Sequence, residues 1–134
     1  MKKIKLTTIA LVLFAGAAFT SCSNDDDNTT APVTKRHFVT AVTGPTTGTV
    51  NQELTLNVSF AVDNNCGTFS KFVETAPADQ PLIEVEAKYA GTDCGTTPVT
   101  KTAPYKFKST AKGTYNLKFK KSATESITQT IVIN

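Results

Sequence analysis

The stretch Leu54-Thr55-Leu56-Asn57-Val58-Ser59-Phe60-Ala61-Val62 alternates apolar residues with smaller or polar ones along its whole length. Successive side chains of a strand point to opposite faces, so Leu54, Leu56, Val58, Phe60 and Val62 share a core face, while Thr55, Asn57, Ser59 and Ala61 share a wet one. A helix would need apolar residues repeating three and four apart, and no segment after residue 21 sustains that period.

The same period of two extends in both directions. Upstream, Phe38, Thr40 and Val42 alternate with Val39 and Ala41 in a first strand, and Gly44-Pro45 and Gly48 mark turns. Downstream, Asp63-Asn64-Asn65-Cys66-Gly67 is a turn by composition. Thr68 to Glu74 is a third strand, and its spacing of three between Phe69 and Phe72 suits a bulge. After a loop over Ala76-Pro77-Ala78-Asp79-Gln80-Pro81, Ile83, Val85, Ala87 and Tyr89 face inward against Glu84, Glu86 and Lys88 in a fourth. Tyr105 and Phe107 face inward in a fifth, with Lys106 and Lys108 outward. Tyr115, Leu117 and Phe119 do so in a sixth, and Ile127, Ile131 and Ile133, interrupted by Gln129, in a seventh. Seven short strands separated by turn signals predict an all-β antiparallel sandwich over residues 36–134.

The amino terminus follows different rules. Lys2, Lys3 and Lys5 precede an apolar run from Ile9 to Phe19, too short to span a bilayer and stopped by Thr20 and Ser21, which reads as a cleaved signal peptide over residues 1–21. Its end, Phe19-Thr20-Ser21-Cys22, resembles the lipobox of bacterial lipoproteins, with Phe19 where an aliphatic residue is usual. The resemblance implies that Cys22 begins the mature chain and carries lipid on its sulfur and amino group, giving the protein a membrane partner; several acyl chains hold far more firmly than one. Asp25, Asp26 and Asp27 follow directly, and with Ser23 and Asn24 they resemble the acidic export signal of surface lipoproteins in Bacteroidota. Residues 22–35 read as a flexible acidic and Thr-rich tether with a reach of about 20 Å.

Loss of residues 1–21 removes three of the 14 basic residues and none of the 11 acidic ones, so the mature chain has 11 of each and no net charge. Nucleic-acid binding, which needs a dense cationic footprint, has no support. With Cys22 given to lipid, Cys66 and Cys94 are an even pair in an oxidising compartment and predict a disulfide between two loops, contributing about 3.5 kcal/mol in the chain-entropy model. The rival reading, two thiolate metal ligands, lacks companions, since His37 is the only histidine.

Ala111-Lys112-Gly113-Thr114-Tyr115-Asn116-Leu117 resembles the tyrosine corner of immunoglobulin-like domains. The resemblance implies a turn at Gly113 and a Tyr115 hydroxyl bonded to upstream backbone. Leu117 stands where antibody-type domains carry a cysteine, and the chain has no tryptophan, so the likeness is to the broader immunoglobulin-like sandwiches of bacterial surface proteins. That pattern places the fourth and fifth strands side by side, with Glu84 and Glu86 facing Lys106 and Lys108. It places the fifth and sixth in different sheets, so the lysines of the carboxy-terminal third divide between two faces. Lys118, Lys120 and Lys121 remain as a minor candidate patch for anionic glycan or lipid headgroups.

No catalytic residues emerge. His37 has no Gly-x-Ser-x-Gly companion, and Glu84 and Glu86 read as an ordinary solvated strand face. The disulfide would bring Asp63, Asn64 and Asn65 beside Asp93, so Asp63, Asn65 and Asp93 are the one candidate metal site, for calcium; no cofactor is expected. The sequence therefore suggests a lipid-anchored binding module at the outer membrane, on the cell surface or facing the periplasm, not an enzyme, with a glycan, host protein or partner lipoprotein as ligand. A structural accessory subunit of an envelope complex is the alternative.

Overall fold

The computed structural model describes residues 31–75 and 81–134. The signal segment, Cys22 and Asp25 to Asp27 lie outside the described residues, as does most of the expected loop between residues 76 and 81.

The described chain is all β, without helices. Its nine strands are β1 (Val33–His37), β2 (Val39–Thr43), β3 (Thr47–Gly48), β4 (Glu53–Val62), β5 (Gly67–Glu74), β6 (Leu82–Tyr89), β7 (Val99–Lys108), β8 (Gly113–Lys120) and β9 (Ser126–Ile133). They form a three-stranded sheet, β2-β4-β7, and a six-stranded one in which β1, β6, β8, β9 and β3 follow in order and β5 pairs with β6. The two sheets lie in a sandwich-like arrangement around one core, with Leu56, Phe60, Ile83, Phe119 and Ile131 fully buried.

Strand β4 follows the alternation of its sequence without a break, with Leu54, Leu56, Val58, Phe60 and Val62 buried and Glu53, Thr55, Asn57 and Ala61 exposed. It pairs with β7 along its whole length. The bulge expected in the third strand occurs in β5 between Phe69 and Lys71. Gly67 opens β5 where the backbone comes so close to β4 that an added Cβ would lie 2.6 Å from the Val62 Cβ.

The seven-strand expectation is corrected to nine strands among the described residues. The expected first strand is two: β1 pairs with β6 in the larger sheet, the chain crosses at Phe38, and β2 pairs with β4 in the smaller one. The crossing buries Val39 fully and leaves Phe38 48% exposed. Strand β1 also starts at Val33, so residues 33–35, expected in the tether, pair with β6. The segment around Gly48, expected as a turn, contributes β3, which runs parallel to β9. The fifth strand is longer than its aromatic alternation suggested and begins at Val99.

The largest correction concerns β6. It was expected beside β7, with Glu84 and Glu86 opposite Lys106 and Lys108, but the two strands belong to different sheets. Strand β6 lies between β5 on one edge and, on the other, β1 for residues 85–89 and β8 at Leu82 and Ile83, where the pairing is parallel. Lys106 instead reaches Glu53 at 2.8 Å across β4, and Glu86 faces Lys71 across β5 at 3.6 Å. The inward residues of β6 were correct, because burial follows alternation within one strand; its neighbours were not, because any strand edge can satisfy another's backbone. The fifth and sixth strands, β7 and β8, do lie in different sheets as expected.

Candidate functional site: an open seam between the sheets

Among the described residues, the order of pairing brings an outer strand of the smaller sheet beside a partly unpaired edge of the larger one. Strand β7 is an outer strand of the smaller sheet, and in the larger sheet β6 reaches β8 only at Lys118 and Phe119. The rest of that β8 edge, from Gly113 to Leu117, therefore has no strand beside it among the described residues. Beneath this gap lies a cleft of about 220 Å³ lined by Glu74, Pro81, Lys106, Lys108, Tyr105, Phe107, Tyr115, Asn116 and Leu117.

The lining follows from strand alternation. Tyr105 and Phe107 face inward from β7, Tyr115 and Leu117 face inward from β8, and Phe107 meets Tyr115 with ring centroids 5.3 Å apart. At one end of the cleft the Tyr105 hydroxyl donates to Glu74 Oε1 at 2.8 Å. Burial first, and then this bond, push the Tyr105 hydroxyl well above its usual pKa, so it acts as a neutral donor and not as a nucleophile. At the other end, Lys108 makes no ion pair among the described residues. The cleft is smaller than the usual site for a drug-sized molecule or cofactor and fits one side chain or one ring.

Tyr115 also fixes the turn between β7 and β8. Its hydroxyl donates to the Ala111 carbonyl at 2.9 Å and accepts from Ser109 Oγ at 2.6 Å. Gly113 stands at φ +152°, a backbone that side chains rarely adopt.

The opposite end of the sandwich is closed. Cys66 and Cys94 form the disulfide, joining the β4–β5 turn to the loop after β6 with Cα atoms 5.0 Å apart. Asn65 and Cys94 add a backbone bond of 3.2 Å. Around the candidate calcium residues, Lys35 holds the Asp63 carboxylate at 2.7 Å, Asn65 joins Cys94 through its backbone, and the neighbouring Asn64 side chain accepts from the Cys66 amide. The Lys35 hydrogen bond is the chief cause that holds the Asp63 carboxyl below its usual range. Among the described residues no three His, Cys, Asp or Glu side chains gather as metal ligands, Asp93 included. His37 bonds through Nε2 to the Tyr89 hydroxyl at 2.7 Å, and that hydroxyl accepts from the Asp63 amide at 2.9 Å. This network ties β1, β6 and the β4–β5 turn together.

The lysines do not form one patch. Lys120 reaches Glu84 Oε1 at 2.7 Å, Lys121 faces Glu125 at 3.7 Å, and Lys118 is likewise engaged. Glu84 is the residue the sequence misread. It sits on the outer face as alternation requires, yet it is only 7% exposed because Arg36 from β1, at 2.6 Å, and Lys120 from β8 close over it. The Lys120 bond is the first cause, and the Arg36 bond a further one, holding its carboxyl below the usual range. No local signal marks Glu84, since both cations come from other strands.

No protein-family model, curated protein or solved structure matches this chain.

Proposed function

We propose that the protein is a lipid-anchored binding module of the cell envelope, held at the outer membrane through Cys22 and binding a partner at the seam between β7 and β8. The observation that carries this reading is the placement of the seam relative to the entry of the chain. Val33, the first residue of β1, pairs with Tyr89 beside the disulfide, whereas the cleft lies toward the other end of β4, where Leu54 pairs with Phe107. Leu54 and Val62 are roughly 25 Å apart at ~3.3 Å per residue. A domain tethered from residue 22 is thus joined to its tether at the closed end, with the cleft at the far end of the sandwich.

The disulfide supports an extracytoplasmic address, because such bonds persist in oxidising compartments. The neutral mature chain supports a partner other than nucleic acid. The sandwich is best read as an immunoglobulin-like variant: the Tyr115 bond to the Ala111 carbonyl supports this, and the place of β6 between β5 and β8 is its departure from that pattern. The module is read as non-catalytic: at the cleft, the bond of buried Tyr105 to Glu74 supplies a donor and an acceptor but no activated nucleophile.

Metabolic labelling with an alkyne fatty acid tests the anchor. Label is expected on the wild-type chain and none on Cys22→Ala, which should leave the membrane fraction. Replacing Asp25, Asp26 and Asp27 by Asn should leave the label and remove accessibility to protease on intact cells. An unlabelled wild-type chain would overturn the anchored reading, and unchanged accessibility would overturn the export role of the aspartates.

A further inference from the structure

Strand β1 is joined to the sandwich unlike the other strands. Among the described strands of five residues or more, it alone has no buried residue: Val33 is 55% exposed, Thr34, Lys35 and Arg36 are exposed, and His37 is half-buried. The face it shares with the inward residues Tyr89, Ala87 and Val85 of β6 carries Val33, Lys35 and His37, so a lysine and a histidine stand where its neighbour places core side chains. Burial of apolar surface is the main force that holds a strand to its sheet, and β1 supplies little of it. What holds β1 is five residues of backbone pairing with β6 and three side-chain bonds, Lys35 to Asp63 at 2.7 Å, Arg36 to Glu84 at 2.6 Å and His37 to Tyr89 at 2.7 Å.

An element is costly to detach when it leaves buried polar groups without partners, and β1 does not. Glu84 keeps Lys120 of β8 at 2.7 Å, so its covered carboxylate retains a cation. The Tyr89 hydroxyl keeps the Asp63 amide at 2.9 Å, and the Asp63 side chain, 49% exposed, returns to water. The Cys66–Cys94 disulfide and the backbone bond of Asn65 to Cys94 do not involve β1 and hold that end of the sandwich closed without it. On the other side of the crossing at Phe38, Val39 is fully buried and anchors β2, which stops the separation there.

We infer that β1 is a releasable strap, which leaves β6 as a unit while the rest of the sandwich stays folded. Such an opening requires less free energy than global unfolding because few buried apolar contacts are lost. Release adds five residues, about 17 Å of extended chain at ~3.3 Å per residue, to the segment that precedes the domain, and it bares the β6 edge over residues 85–89. This goes beyond the binding role proposed above and depends neither on the cleft nor on Cys22. The N–H and C=O of one strand residue point to the same side, and the side alternates along the strand. The Thr75 amide donates to the Leu82 carbonyl on the β5 side of β6, and the Lys118 amide donates to the Pro81 carbonyl on the opposite side. Glu84, Glu86 and Lys88 therefore turn their backbone groups to β5, and Val85, Ala87 and Tyr89 turn theirs to β1.

Amide hydrogen exchange on the full chain purified in detergent tests the strap, and alternate residues of β6 supply the control. Protection factors at Val85, Ala87 and Tyr89 are expected to be alike and at least tenfold below those at Glu84, Glu86 and Lys88. Lys35→Ala removes the Asp63 bond and the ammonium over the Tyr89 ring, and should lower the first set several-fold further while leaving the second unchanged. Thr34 and Lys88 are Cα partners, so a disulfide formed between Thr34→Cys and Lys88→Cys, verified by mass, should raise the first set to the level of the second. Equal protection of the two sets in the wild-type chain would show that β1 leaves only when the whole fold opens. Low protection at Tyr89 with full protection at Val85 would show fraying from Val33 and not release as a unit. Either result, or a first set unmoved by the crosslink, would overturn the strap.

Discussion

The disulfide end and the seam end of this sandwich are built from the same kinds of strand and finished in opposite ways. At the first, Cys66–Cys94, Lys35–Asp63 and the Tyr89–His37 bond connect β1, β6, the β4–β5 turn and the loop after β6. At the second, a small cleft lies between β7 and β8, and its margins are held by the Tyr105–Glu74, Tyr115–Ala111 and Ser109–Tyr115 bonds. Covalent and polar closure is concentrated where β1 begins, and the cleft lies toward the other end of β4. The difference teaches that the closed end carries stability while the open end has room for function.

If that contrast is right, substitutions should divide the same way. The largest loss is expected at the closed end: replacing Cys66 and Cys94 together by serine should cost about 3.5 kcal/mol, the chain-entropy value for a loop of this separation. Urea denaturation measures it, and a loss below about 1 kcal/mol would mean that the closed end is held by its other contacts.

Next comes Glu84, which joins β1, β6 and β8 midway between the two ends. Glu84→Gln should cost about 1–2 kcal/mol at pH 7, a range reduced for the exposure of Arg36. Because the folded carboxyl titrates below its unfolded value of 4.5, this contribution is present above pH 4.5 and is lost as pH falls through the folded value. The wild-type protein should therefore lose its advantage over Glu84→Gln in acid, and parallel stability curves down to pH 2 would contradict the assignment.

Tyr115→Phe removes the hydroxyl bonds to Ala111 and Ser109 at the seam margin and should cost about 1 kcal/mol, read from the midpoint of thermal unfolding. Smallest of all, Lys108→Ala should change stability by no more than about 0.5 kcal/mol, since the side chain has no ion partner among the described residues. A cost above 1 kcal/mol there would show that the seam is part of the scaffold and erase the contrast.

Much of the fold was legible because burial in a strand is a local property. Leu54 to Val62, Ile83 to Ala87 and Leu117 to Phe119 bury the residues their alternation assigns. The joining of Cys66 to Cys94 was legible from cysteine number and compartment. The candidate site was hardly legible. Tyr105, Phe107 and Tyr115 read only as core, and nothing near them in sequence says that the strand above them stops short. The expected facing of Glu84 and Glu86 with Lys106 and Lys108 failed because it needed two strands to be neighbours.

The sequence by itself determined the strand periods, the inward faces, the turn residues and the cysteine pair, since each depends on residues within one segment or on a simple count. Tertiary structure alone decided which edges meet, and with them the split of the first strand at Phe38, the covering of Glu84 and the gap beside β8. The physical reason lies in the backbone. Its donors and acceptors are the same at every residue except proline, so they make any two strands compatible and leave the choice of neighbour to the packing of the whole chain.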